Sequence, residues 1–397
     1  MRLGVQGAVV DGTIVPGDVL VDPRAGTVTD VGGPGGGRGL AAPGFVDLQV
    51  NGFAGVDLMA ADSDGYGRVG EALAATGVTA FLPTFITAPH DTLVAAMAEA
   101  TAAVTLPRVL GVHLEGPFLS PERLGTHPAE PRSDPDPQLL DKLLAAGPVR
   151  IMTLAPELPG ALDLVRRLGE AGVVASIGHS DATAAQANAG FAAGARTVTH
   201  LGNAMRPLRP RDPGVAGAAL ARDDVTVQLI VDGHHLAPEM VQLAWRAAAG
   251  RFVLVTDAVA AAGMGDGTFA LSSVTVHAEH GRVTRADGRL AGSALTMDAA
   301  VRNLHALGAP LAEAIGAATA APARVLGFGG AGRDLGRDAG RGLGRGPGRG
   351  PERGFGPGLE RGLGRLAPGC AADVVVLDDH LEVTRVLIDG KDAHGAG

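Results

Sequence analysis

The chain has a single cysteine, Cys370, in 397 residues. No disulfide can close within it, and a thiolate cluster for a metal is excluded. Aromatic residues are scarce at 3%, although hydrophobic residues reach 46%, so Ala, Val and Leu must fill any core. Lysine occurs only at Lys142 and Lys391, which makes nearly all of the 33 basic residues arginine. Together with 61 glycines this reads as genomic compositional bias rather than function. The formal net charge of -9 argues against a nucleic-acid surface, while leaving room for one local basic pocket. An apolar run of the roughly 18 residues that suggest a membrane span is missing, as is a charged-then-apolar leader. A soluble cytoplasmic protein is the expectation. There is no Walker-type loop and no Gly-x-Gly-x-x-Gly after a strand, and the glycines of 32–39 read as a linker turn, so nucleotide binding lacks support.

What the chain does have is a series of short apolar runs, each ending on a residue that can bind a metal or move a proton. They close on Glu115, His179, His200, His235 and Asp257. Buried parallel strands have this texture, and parallel barrels carry their chemistry at the carboxyl ends of the strands. Eight candidate strands can be counted, at 43–50, 78–85, 109–115, 149–155, 173–179, 196–200, 225–232 and 252–257. Most gaps hold an Ala/Leu-rich stretch with helical spacing, for example 65–76, 92–103, 137–146 and 162–171. The pattern points to an α/β fold, a (β/α)8 TIM-type barrel over 42–328, in preference to a three-layer open sheet. Residues 265–290 read as an inserted hairpin, with helices following near 296–307 and 310–326.

Both chain ends, 1–41 and 366–397, are β-rich and broken by Gly, Pro and Asp, with pieces at 3–10, 13–20, 27–31, 372–377 and 383–388. They are expected to meet in one small β-sandwich. Residues 329–365 stand apart. Arginine recurs every fourth position from Arg333 to Arg353, embedded in Gly, Pro and Leu, and the segment carries a net charge of +4. With no apolar face to bury and this much glycine, it reads as a disordered insertion.

Glu115, His179 and His200 end candidate strands three, five and six, and two imidazoles with one carboxylate leave a coordination position open for water. His113 would share the face of Glu115 and competes as a ligand, ranked below it. Glu115 could instead cap the turn at Gly116-Pro117. Asp257 can take a proton from a water and deliver it to a leaving amine, or could cap the segment that starts at Ala258. His127 and His235 sit on loops at the same barrel face. The loop after His200 offers backbone N–H groups near Asn203 and Ala204, plus an arginine, for a phosphate.

These motifs are recognisable together. Residues 43–47 (Pro-Gly-Phe-Val-Asp), 113–117 (His-Leu-Glu-Gly-Pro), Gly178-His-Ser180, Asn203-Ala-Met205, Asp232-Gly-His-His235, 255–258 (Val-Thr-Asp-Ala) and 290–297 resemble, in order, the N-acetylglucosamine-6-phosphate deacetylases of the amidohydrolase superfamily. The resemblance covers nearly the whole chain apart from 329–365. It implies a metal-bearing barrel with a β-sandwich built from both termini, acting on N-acetyl-D-glucosamine 6-phosphate. It places the metal ligands on Glu115, His179 and His200, the acid/base on Asp257, and the carbonyl-polarising group on His127. Substrate contacts are implied at His127, Asn203, Ala204, Arg211 and His235, the last two reaching in from the neighbouring subunit of a homodimer. Where many superfamily members carry His-x-His, this chain has Gln49-Val-Asn51, so one divalent ion per chain is expected. Zinc is the first choice, with iron(II), manganese and cobalt also suited. The alternatives are a deacetylase for the galactosamine isomer, a cyclic-amide hydrolase, and a catalytically dead scaffold barrel.

Overall fold

The computed structural model describes residues 1–103, 105–328 and 362–395. The arginine-rich segment expected to be disordered falls largely outside them. Parallel strands run round the barrel in chain order: Phe45–Val50, Val78–Ile86, a broken third strand (Arg108–Val109 and Val112–Glu115), Val149–Leu154, Val174–Ile177, Thr197–Val198, Thr226–Leu229 and Phe252–Leu254. A parallel bridge from Val50 to Ala258 brings the first strand to the end of the eighth. The expected (β/α)8 order is thus present. Every residue of the first two strands is buried, the polar Asp47, Gln49 and Thr84 included, so neither strand turns a face to solvent.

The helices cover the outside of the ring with one apolar stripe each. Ala161–Glu170 buries Ala161, Leu164, Val165 and Leu168, a helical repeat, and leaves its arginines outward. Side chains fix several helix starts: Asp62 caps Ser63–Ala74, Asp136 caps Pro137–Ala146, and Thr183 with Gln186 forms a capping box on Ala184–Ala193.

Three elements differ from the reading of the sequence, each for a local reason. The third strand breaks at Gly111, whose φ is +110° and whose missing side chain leaves room for Pro148 O and Arg150 Cγ, both 2.5 Å from a Cβ built there. The run 13–20 divides at Gly17, where φ of +116° carries the chain from strand Thr13–Pro16 to strand Asp18–Asp22 in a different sheet. The run 310–326 is two helices, Leu311–Ala317 and Ala320–Val325, with the Thr319 hydroxyl turned back onto Ile315 O. The expected hairpin is a three-stranded antiparallel arm, Gly267–Leu271, Val274–Glu279 and Arg282–Thr284.

The two chain ends share one six-stranded sheet, in which Leu40–Pro43 lies between Gly7–Val10 and Val374–Leu377. It packs on the pair Asp18–Asp22 and Thr27–Gly33 around a separate apolar core that includes Val5, Val19, Val21, Val28, Val374 and Leu387. Arg108, at the start of the third barrel strand, pairs with Asp373 and with Asp389 (2.7 Å), fastening this unit to the amino-terminal end of the barrel.

Candidate active site

Alternation along the barrel strands decides which side chains face inward. Asp47 and Gln49 on the first strand, Thr84 on the second, His113 and Glu115 on the third, Thr153 on the fourth and Ser176 on the fifth are all buried. Below the site they form a hydrogen-bonded layer: His113 contacts Leu48 O (3.1 Å) and Thr153 Oγ1 (2.8 Å), and Thr199 Oγ1 meets both Thr153 Oγ1 (2.7 Å) and Ser176 Oγ (2.6 Å). Burial holds the His113 imidazole down to about 4, so it stays neutral. With both ring nitrogens engaged, His113 has no lone pair for a metal. Its place is beneath the site, in support of the strand that carries Glu115.

Above this layer Glu115, His179 and His200 converge, with one ligand atom from each lying within 4.8 Å of the others. Glu115 Oε1 is 2.9 Å from His200 Nε2 and 3.2 Å from His179 Nε2, and the two imidazole nitrogens are 3.1 Å apart. His179 Nδ1 lies 2.9 Å from Arg123 O; a carbonyl accepts only, so Nδ1 carries the proton and Nε2 presents a lone pair. The His179 Nε2 lone pair and Glu115 Oε1, 3.2 Å apart, repel unless a cation lies between them, and two imidazoles with a carboxylate are the donors a divalent ion takes. The residues fit a metal. Burial would raise the Glu115 carboxyl, but the neighbouring imidazoles and their hydrogen bonds hold it well below the usual carboxylate range.

His127 is oriented differently. The Thr87 backbone N–H donates to its Nδ1 (3.2 Å) and the Thr87 hydroxyl is 2.9 Å away, so the ring proton resides on Nε2, 3.4 Å from Glu115 Oε2. Burial lowers this imidazole to about 4. A neutral ring with Nε2–H aimed into the site is a hydrogen-bond donor for a developing oxyanion. Asp257 accepts from Asn51 Nδ2 at 2.7 Å, and burial, with the Glu115 charge adding, pushes its carboxyl up to about 6. No helix starts at Ala258, and no backbone N–H among the described residues bonds the Asp257 side chain, so the capping alternative falls. The Glu115 carboxylate likewise points into the site instead of capping Gly116-Pro117.

His179, His200, Ala204 and Asp257 all have positive φ, at +47°, +29°, +47° and +50°. Such backbone is costly for residues with a Cβ and persists only when neighbours over-determine it. Here Ser120 N holds His179 O, Asn203 N holds His200 O and Ser293 N holds Asp257 O, at 2.9 to 3.0 Å.

One cleft of about 350 Å³ is lined by these groups, along with Asn51, Asn203, Ala204 and His235. Of the two amides expected to hold a phosphate, Asn203 N–H is committed to His200 O, while Ala204 N–H bonds no group among the described residues. His235 lines the cleft of its own chain, its Nδ1 held by Asp232 Oδ2 at 2.7 Å. The residue expected to enter a neighbouring subunit's site thus lies, through the turn 232–235, at the mouth of its own barrel. Arg211 is exposed and lies outside the cleft lining. Reading the sequence missed Thr87, Arg123 and the arm residues Leu271 and Arg289. The arm reaches the cleft because Arg285 and Arg289 both donate to Gly125 O (3.4 Å), in the loop before His127. No spacing in the sequence signals that contact.

Comparison with known proteins agrees with this geometry. The model of the amidohydrolase family matches residues 40–333. An N-acetylgalactosamine-6-phosphate deacetylase from Escherichia coli O157:H7 is 38% identical over 89% of this chain and 87% of its own length. The human N-acetylglucosamine-6-phosphate deacetylase is 36% identical over 90% of this chain and 83% of its own. Among solved structures, a mutant N-acetyl-D-glucosamine-6-phosphate deacetylase from Mycobacterium smegmatis, in complex with N-acetyl-D-glucosamine-6-phosphate, superposes with a TM-score of 0.86 at 32% identity over 99% of both chains. The chain belongs to the amidohydrolase family, alongside its N-acetylhexosamine-6-phosphate deacetylases.

Proposed function

We propose that this protein hydrolyses N-acetyl-D-glucosamine 6-phosphate to D-glucosamine 6-phosphate and acetate, in amino-sugar catabolism and cell-wall sugar recycling. The observation that carries the reading is the convergence of Glu115, His179 and His200 on one point, in a cleft that also holds Asp257 and His127. Glu115, His179 and His200 would hold one divalent ion, for which zinc is our choice. Bound there, it supplies Lewis acidity and a more acidic water.

Asp257 is the base that receives the proton of the attacking water, and the acid that returns it to the departing nitrogen. A carboxyl pushed up towards neutrality can do both. His127 donates through Nε2–H to the carbonyl oxygen as it gains charge. Ala204 N–H and His235 Nε2 are available to the sugar phosphate, whose binding energy far from the reacting bond serves to orient that bond. Arg211, exposed and outside the lining of its own cleft, is available to the cleft of a second copy in a homodimer.

An acetate-release assay tests the reading. Phosphorylated N-acetyl hexosamine should be turned over and the unphosphorylated sugar much less. Chelator should abolish release, and one zinc per chain should restore it. Undiminished release after complete metal removal would refute it. A second reading, specificity for the galactosamine epimer, is favoured by the relative from Escherichia coli O157:H7; the two epimers in the same assay decide between them.

A further inference from the structure

The first barrel strand delivers two amide side chains to the site, and each faces a carboxylate. Gln49 Nε2 donates to Glu115 Oε1 (3.2 Å) and Asn51 Nδ2 donates to Asp257 Oδ1 (2.7 Å). An ionised carboxylate only accepts, so the amide nitrogens must face these partners and the amide oxygens must turn away. Both oxygens, Gln49 Oε1 and Asn51 Oδ1, are buried and find no partner among the described residues. Buried acceptors are almost always satisfied, and an amide placed for stability would be bonded at both ends. These two are bonded only at the end that meets the reacting groups. The Asn51 backbone adds a second tie, since its N–H donates to Ala258 O (2.8 Å), immediately after Asp257. Main chain and side chain of one residue thus hold both the turn and the carboxylate at its tip, where Asp257 has φ of +50°. Asp257 Oδ2 receives no hydrogen bond from the described residues and is left for the proton.

We infer that Asn51 is a positioning residue for Asp257, locking Oδ1 so that Oδ2 meets the water and later the leaving nitrogen. This rests on the proton-transfer role given to Asp257 above. Asn51→Ala removes the donor without adding charge, and Asn51→Asp keeps the shape but sets carboxylate against carboxylate. Either change should lower kcat by about 100-fold, the scale of a misplaced reacting group. KM should stay within about threefold, and metal content should remain near one equivalent per chain.

The deciding measurement is Asn51→Ala in the Asp257→Asn background. A residue that acts through Asp257 should cost kcat almost nothing there, whereas a general structural defect would cost as much as before. The inference is overturned by a kcat within threefold of wild type, by a loss borne by KM, or by full additivity with Asp257→Asn. Thermal unfolding of each variant identifies misfolding, in which case the milder Asn51→Ser is read in the same cycle. Failure of the wild-type chain to release acetate would instead sink the deacetylase reading, so the two failures are distinguishable.

Discussion

At the scale of single residues, the site is a set of proton positions fixed by neighbours. Arg123 O sets the His179 tautomer, Thr87 N–H sets the opposite tautomer on His127, and Asn51 holds Asp257. Asp257→Asn should lower turnover by about 10²- to 10⁴-fold while the metal stays bound, because the base is lost and no metal ligand is. Near-normal acetate release would remove Asp257 from its role. A bound cation can only lower the Asp257 carboxyl, so the acid limb of kcat should lie at or below about pH 6. Asp47 gives a separate pH signature. Burial pushes its carboxyl up to about 7, although Thr256 Oγ1, Thr256 N and Gln49 N all bond it. The fold therefore favours its protonated form. That contribution to stability is complete below about pH 4 and is lost as pH rises through 7. Relative to Asp47→Asn, wild-type Tm should fall across this window; parallel curves would contradict the assignment.

At the scale of elements, the strands were legible because most of their residues are apolar and buried and five of the apolar runs close on a polar residue, whereas their interruptions were not. Gly111 looks like any other glycine until Pro148 and Arg150 pack against it. Gly111→Ala should destabilise by about 1–3 kcal/mol in denaturant titration, since φ of +110° is open to glycine alone. Unchanged stability would mean that the kink can relax. The antiparallel arm teaches a related lesson. Its hairpin pattern was readable, but its service as a cleft wall depends on two long-range contacts to Gly125 O. The loop after His200 also read differently from its structure, because backbone bonding within the turn consumes one of the two amides that the sequence offered to a phosphate.

At the scale of the whole molecule, the barrel separates chemistry from stability. The candidate site residues gather at the carboxyl ends of the strands, and Arg108 ties the terminal sheets to the opposite end. Arg108→Ala leaves Asp373 buried without its partner and should cost about 3–5 kcal/mol in chemical denaturation, with kcat preserved. Loss of turnover in the folded variant would show that the two ends are coupled. No helix among the described residues is long and apolar enough to cross a membrane. The sequence by itself determined the barrel, the meeting of the chain ends, and the candidates Glu115, His179, His200 and Asp257. Strand periodicity and the order of motifs are properties of neighbouring residues along the chain. Only the tertiary structure decided that His113 lies beneath the site, and which nitrogen of His127 and of His179 bears the proton. Those outcomes depend on hydrogen-bond partners 40 to 65 residues away for His113 and 40 to 56 for the tautomers of His127 and His179, on a separation that no local pattern records.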